Sequence, residues 1–208
     1  MLAAAALLVL TGLLAVSPGI RAALLELFRL PGARIEVERT PSPAPAPMAS
    51  PSLEDLVPGQ RVSLSEARRT AADEVVFPKS LGRPDEVAVF GTGDDAVVTL
   101  AWRARPGLPA ADETGYAVLL TQFRARPQED LIKKTAEQTQ IIPVVVDGEQ
   151  GYWIEGPHSV LLLRGASIVE DQARLSASSL LWTRDGLLLR LETDLTRAEA
   201  VRLAGSIR

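Results

Sequence analysis

The chain has 208 residues, with no cysteine, one histidine, 22 basic and 26 acidic residues, and a net charge of -4. This composition excludes disulfides, thiol nucleophiles and iron–sulfur or zinc–cysteine sites, and one histidine cannot build a multi-histidine metal centre. An acidic balance, with a pI near 5.2, also argues against nucleic acid as a partner. Arginine outnumbers lysine 19 to 3, which we read as the codon bias of a GC-rich genome.

The first element in chain order is apolar. Leu2 to Ile20 carries no charge, and about 20 residues of helix span ~30 Å, enough to cross a hydrocarbon core. Ala and Leu favour helix, and Pro18-Gly19 marks its end or a kink. The competing reading, a cleaved signal peptide, lacks a basic residue ahead of the run. Pro18 also follows the best small-x-small triplet, Ala15-Val16-Ser17. A buried soluble helix is the third alternative. The flanking arginines Arg21, Arg29, Arg34 and Arg39 all follow the span, so the positive-inside rule alone would keep the remainder in the cytoplasm. Arg21 to Leu30 suits a helix at the membrane interface, or a continuation of the span. Residues 1–30 are therefore expected to form a transmembrane anchor and juxtamembrane helix.

Arg34 to Arg39 alternates charge with Ile35 and Val37 and can form a short strand. From Thr40, five prolines alternate with Ser and Ala. Proline removes donors and fixes φ, so residues 31–58 read as a semi-rigid linker, its Pro-rich part up to ~55 Å long.

Residues 59–208 read as the folded domain. Ser63 and Glu66 form a capping box that opens a helix to about Ala72. Strands follow at 85–90 and 96–102 around Gly91-Thr92-Gly93, and at 116–124. Pro127 to Gln138 reads as a second helix, with Pro at its start and acids in its first turn. Strands at 140–146, 151–155 and 159–164 come next. A hairpin then joins 174–183 to 187–193, with Leu187, Leu189 and Leu191 on one face and Arg190 and Glu192 on the other. Thr196 and Glu199 cap a final helix. The expected fold is α+β: an antiparallel sheet of about 7–8 strands with about three helices, preceded by one transmembrane helix.

No Walker loop, H-E-x-x-H or G-x-S-x-G motif occurs, and Gly91-Thr92-Gly93 joins strand to strand where a dinucleotide loop needs a following helix. No catalytic, cofactor-binding or metal residue is assigned, and no cofactor is expected. His158 could serve a triad with Ser159 or Ser178, though nothing local supports one. The stretch GYWIEGPH holds two of the nine aromatic residues and the only histidine. Tyr152, Trp153 and His158 are therefore the candidate binding edge, with packing on both sides of the strand as the alternative.

Three stretches carry a family resemblance: SPGIRAALLELFRLPGARIE after the apolar run, GYWIEGPH in the middle, and LLWTRDGLLLRLETDLTRAEAVRLAGSIR at the end. They resemble an uncharacterised family of extracytoplasmic domains found after the membrane span of anti-sigma-factor-like proteins of Gram-positive bacteria. The residues given contain no zinc-finger or sigma-binding part of the fuller pattern. The resemblance implies a single-pass protein of the cell membrane, its C-terminal domain outside the cytoplasm, acting in envelope signalling. A non-enzymatic sensory or protein-interaction domain is thus expected. Its partners would be the membrane, through the N-terminal helix, and another envelope or signalling protein. The alternative is an envelope hydrolase or a lipid- or glycan-binding protein.

Overall fold

Alternating apolar residues, divided by Gly-containing turns, build most of the structure as antiparallel ladders. The computed structural model describes residues 33–38, 52–72, 74–125, 131–136, 140–156, 158–164, 167–169 and 175–207. The strands are β1 (Ala33–Glu38), β2 (Gln60–Arg61), β3 (Glu86–Phe90), β4 (Val97–Trp102), β5 (Val118–Arg124), β6 (Leu131–Ala136) and β7 (Ile141–Val146). They continue with β8 (Glu149–Ile154), β9 (His158–Arg164), β10 (Ser167–Val169), β11 (Leu175–Ser176), β12 (Ser179–Arg184) and β13 (Leu187–Thr193). The helices are α1 (Leu53–Leu56), α2 (Leu64–Thr70) and α3 (Arg197–Ala204), with a 3-10 turn at Lys79–Leu81.

Eight strands form one antiparallel sheet in the order β2-β3-β4-β5-β13-β12-β8-β7. With three helices among the described residues, the α+β class expected from the sequence holds. A second sheet of five strands, β1-β6-β9-β10 with β11 on β9, was not expected, nor was its parallel β1–β6 pair.

Each face of the eight-stranded sheet carries helix. On one face α2 and α3 cover Val87, Leu100, Leu120, Leu191, Leu180 and Trp153, among others. Ser63 caps α2 by accepting from the Glu66 N–H, and Thr196 with Glu199 makes a full capping box on α3. On this face Gln122 is the polar residue between β4 and β13. Its amide donates to the Val76 carbonyl and accepts from the Val76 N–H, both at 3.0 Å, pinning the segment that crosses the sheet. On the other face α1 packs Leu53, Leu56 and Val57 against Ala88, Ala101, Tyr116 and Leu119.

Three expectations are corrected. Helix was expected over Pro127–Gln138, but Leu131–Ala136 is the strand β6. Proline and acidic residues are local helix signals, whereas the slot between β1 and β9 offers ladder bonds on both sides, and tertiary pairing overrides propensity. The linker was drawn to residue 58. The short strand expected at 34–39 is β1, but α1, with its Ser52–Asp55 capping box, lies within the expected linker and is buried against the sheet. Two leucines three residues apart, Leu53 and Leu56, extend the core by one short helical turn. Third, Leu175–Arg184 is broken into β11 and β12, which lie in different sheets. No helix among the described residues is long and apolar enough to cross a membrane, and the expected span at 2–20 lies outside them.

Candidate functional site

The GYWIEGPH stretch lies at the junction of the two sheets. β8 is flanked by β7 and β12, so it is an interior strand and no edge. Strand alternation sends Trp153 to the α2–α3 face, in the cluster with Leu180 and Trp182. Tyr152 goes to the opposite face, with Ile154, Leu181 and Leu188. Both rings are 3% exposed. The Tyr152 hydroxyl accepts from the Gln150 amide at 3.0 Å, and burial pushes its phenol above the usual range. His158 opens β9 at the register position of Ser176. The expected binding edge is therefore corrected: its two aromatic residues are core on opposite sides of one strand, because both faces are covered.

The strand pair does not stop at Ile154. Ile154 pairs with Ser179, and the next pair along the same ribbon is His158 with Ser176. Three residues, 155–157, stand against two, 177–178, so one extra residue bends the ribbon out of the large sheet and into the small one. Gly156, with φ of 80°, takes up that bend, and its N–H donates to the Ser178 hydroxyl at 3.0 Å. The Glu155 N–H donates to the Gln140 carbonyl at 3.0 Å, which ties the corner to the start of β7.

A second concentration of polar side chains was not singled out from the sequence. It lies inside the α1 face. Thr99, Thr121 and Arg190 stand side by side on β4, β5 and β13, and the two threonine hydroxyls are 3.1 Å apart. Arg190 Nη1 lies 2.6 Å from Glu192 Oε1, with side chains 4% and 1% exposed. Further along, Glu86 on β3 is paired with the guanidinium groups of Arg61 and Arg103 and accepts from the Tyr116 hydroxyl at 3.0 Å. Arg103 also lies 5.3 Å above the Tyr116 ring. Burial, then the hydrogen bond to Glu86, hold the Tyr116 phenol above its ordinary value. The signal available in sequence was Arg190 and Glu192 at alternate positions of a strand whose leucines faced the other way. That spacing fits a solvated face equally well.

Elsewhere a small cavity of about 150 Å³ opens between the β7–β8 and β12–β13 turns. Asp147, Glu149, Asp185 and Arg184 line it over Trp182. Arg184 is already committed to the Ile207 carbonyl and to Asp185 Oδ2 at 3.3 Å. No group of three or more His, Cys, Asp or Glu side chains among the described residues is placed to hold a metal ion.

Both edges of the large sheet are blunted. β2 is two residues long. In β7 the Glu155–Gln140 bond fixes the ladder phase, so the backbone groups of Ile141, Pro143 and Val145 face away from β8. Pro143 supplies no N–H there, which interrupts the row of donors an added strand would need. Val145, 64% exposed, is the large apolar side chain left uncovered among the described residues.

No family model, curated protein or solved structure matches the chain.

Proposed function

We propose that the chain is a membrane-anchored extracytoplasmic domain that senses or binds another envelope or signalling protein through non-covalent contacts, in an anti-sigma-type system. One observation carries the preference for binding over catalysis. The buried titratable groups of the described polar cluster, Glu86, Tyr116 and Glu192, are each engaged by a neighbouring side chain of the fold. A general base needs a lone pair open to a substrate. The aromatic stretch that most invited a ligand is itself core. The apolar run at 2–20, long enough to span a hydrocarbon core, supports the anchored reading.

The full chain, expressed in a high-GC Gram-positive host, tests this in two steps. It is expected in the carbonate-washed membrane fraction, with the domain cut by protease added outside protoplasts. His158→Ala, folded to the wild-type melting temperature, is expected to keep its signalling output. Recovery in the soluble fraction would defeat the anchor. A folded but silent His158→Ala protein would turn the reading to a hydrolase, since His158 is the chain's one histidine, the residue type most often used as a general base.

A further inference from the structure

We infer that β1 is a membrane-proximal clamp: paired with β6 it holds the domain near the bilayer, and its release turns the Pro-rich segment into a spacer that lets the domain move outward. The inference rests on the anchored reading above and names how that anchor is regulated.

Position is the first argument. β1 lies between the apolar run ending at Ile20 and the prolines that begin at Pro41, yet all six of its residues are in register with β6, from Ala33 opposite Leu131 to Glu38 opposite Ala136. The strand nearest the expected span is therefore built into the fold, on the membrane side of the Pro-rich stretch. With β1 paired, the chain from Ile20 to Ala33 reaches at most ~45 Å; with β1 released, the chain from Ile20 to Ser52 reaches at most ~110 Å. The conversion changes the permitted height of the domain by about 2.5-fold, whatever shape the intervening residues take.

Strength is the second argument. Among the described residues β1 is the terminal strand of its sheet and has a ladder on one side only. That ladder is parallel, the slightly weaker kind per residue. The sequence alternates Arg34, Glu36 and Glu38 with only Ile35 and Val37, and charge is typical of an edge that must not be too adhesive. Glu36 stands at the register position of Lys134. Elements of this kind belong to the low-stability end of a fold, where opening is cheapest.

Independence is the third. No strand of the eight-stranded sheet pairs with β1, and the chain between β1 and β6 contains α1, α2 and β2 to β5. Withdrawing β1 breaks the ladder with β6 and none of the described ladders of the large sheet.

The absence of cysteine makes the test clean. The full chain in membrane vesicles carries Ile35→Cys with Lys133→Cys, which are register partners, or Ile35→Cys with Asp147→Cys as a mismatched control. Oxidation is expected to link the first pair within the chain and not the second. Separately, Asp147→Cys is labelled with a donor dye and the vesicles with acceptor lipid. Adding Glu36→Pro and Val37→Pro removes a ladder donor whichever parity faces β6, and energy transfer is expected to fall by about half or more as the tether lengthens. An anchored chain in which the register pair fails to crosslink, or in which the prolines leave energy transfer unchanged, would overturn the clamp alone. A chain recovered from the soluble fraction would overturn the anchored reading, and the clamp with it.

Discussion

The two faces of the eight-stranded sheet are both buried, but in different ways. The α2–α3 face is a run of leucines, valines and tryptophans, in which the polar Gln122 is satisfied by one backbone residue, Val76. The α1 face is apolar at its flanks and carries the Thr99, Thr121, Arg190 and Glu192 stripe between them. The first face gains stability from area removed from water. The second gains less, because desolvating an ion pair costs about as much as its attraction returns. What the pair adds is intolerance of misalignment, since a slipped register would bury a lone charge. One face therefore stabilises the sheet, and the other ties β4, β5 and β13 to a single alignment.

The largest expected effects separate these roles. Trp153→Ala on the α2–α3 face should cost ~3–5 kcal/mol through a cavity. Arg190→Leu should cost a similar ~3–5 kcal/mol by removing the guanidinium paired with buried Glu192. The second loss, unlike the first, should be largely recovered by adding Glu192→Leu. Urea unfolding of the two single variants and the double variant checks this; a double variant no better than Arg190→Leu would contradict the account of the α1 face. Trp153→Ala should also lower the melting temperature, so a loss of function in that variant would report packing.

Gly151 tests how closely the interior strands approach. A Cβ there would lie 2.7 Å from the Leu181 carbonyl oxygen and 3.1 Å from Trp182 Cβ. Gly151→Ala should thus cost ~1–3 kcal/mol by pushing β8 off β12, read again by urea unfolding. A neutral result would mean that the ladder yields there.

Capping comes next. Thr196→Ala removes the side-chain acceptor at the start of α3 and should cost ~1 kcal/mol, loosening the cover of one face only. Hydrogen exchange should then rise in α3 and stay unchanged in α1.

The pH dependence divides along related lines. Hydrogen bonds from Thr196 hold Glu199, and those from Ser52 hold Asp55, below the ordinary carboxylate range. Their contribution is present above the unfolded-state values near 4 and is lost as pH falls through the lower folded ones. Tyr116 and Tyr152, both on the α1 face, are raised. Their contribution is complete below about pH 10 and is lost as pH rises through the folded values. Melting temperature against pH should therefore show an alkaline decline that Tyr116→Phe and Tyr152→Phe flatten, with the acid limb unchanged.

The smallest effect on stability is expected at the edge where the faces meet. Pro143→Thr restores an outward N–H on β7 beside exposed Val145. It should change stability little and raise concentration-dependent self-association, measured by sedimentation velocity. A variant that stays as monodisperse as the wild type would show that the proline is not what protects the edge.

Much of the large sheet was legible. β3, β4, β5, β12 and β13 follow from alternation broken by glycine turns, and α2 and α3 from Ser63 and Thr196 three residues ahead of a glutamate. These signals are local: a cap or a turn is decided within four residues, and a period of two is a property of the strand alone. The composition likewise removed thiol and multi-histidine metal chemistry before any fold was known.

What only the tertiary structure decided is everything that depends on what lies across from a strand. Alternation placed Tyr152 and Trp153 on opposite sides of β8, and Arg190 opposite the leucines of β13. It could not say that both sides are closed, so a surface edge and a double core looked alike. Residues 131–136 follow helix signals at Pro127, Glu129 and Asp130, yet they pair with β1 and β9, because ladder bonds from two distant segments outweigh a favourable first turn. The sheet change at residues 155–157 has the same origin. Gly156-Pro157 announces a turn in the sequence, but whether the chain reverses there or bends into a second sheet is set by the partner strand, which has one residue fewer at that point.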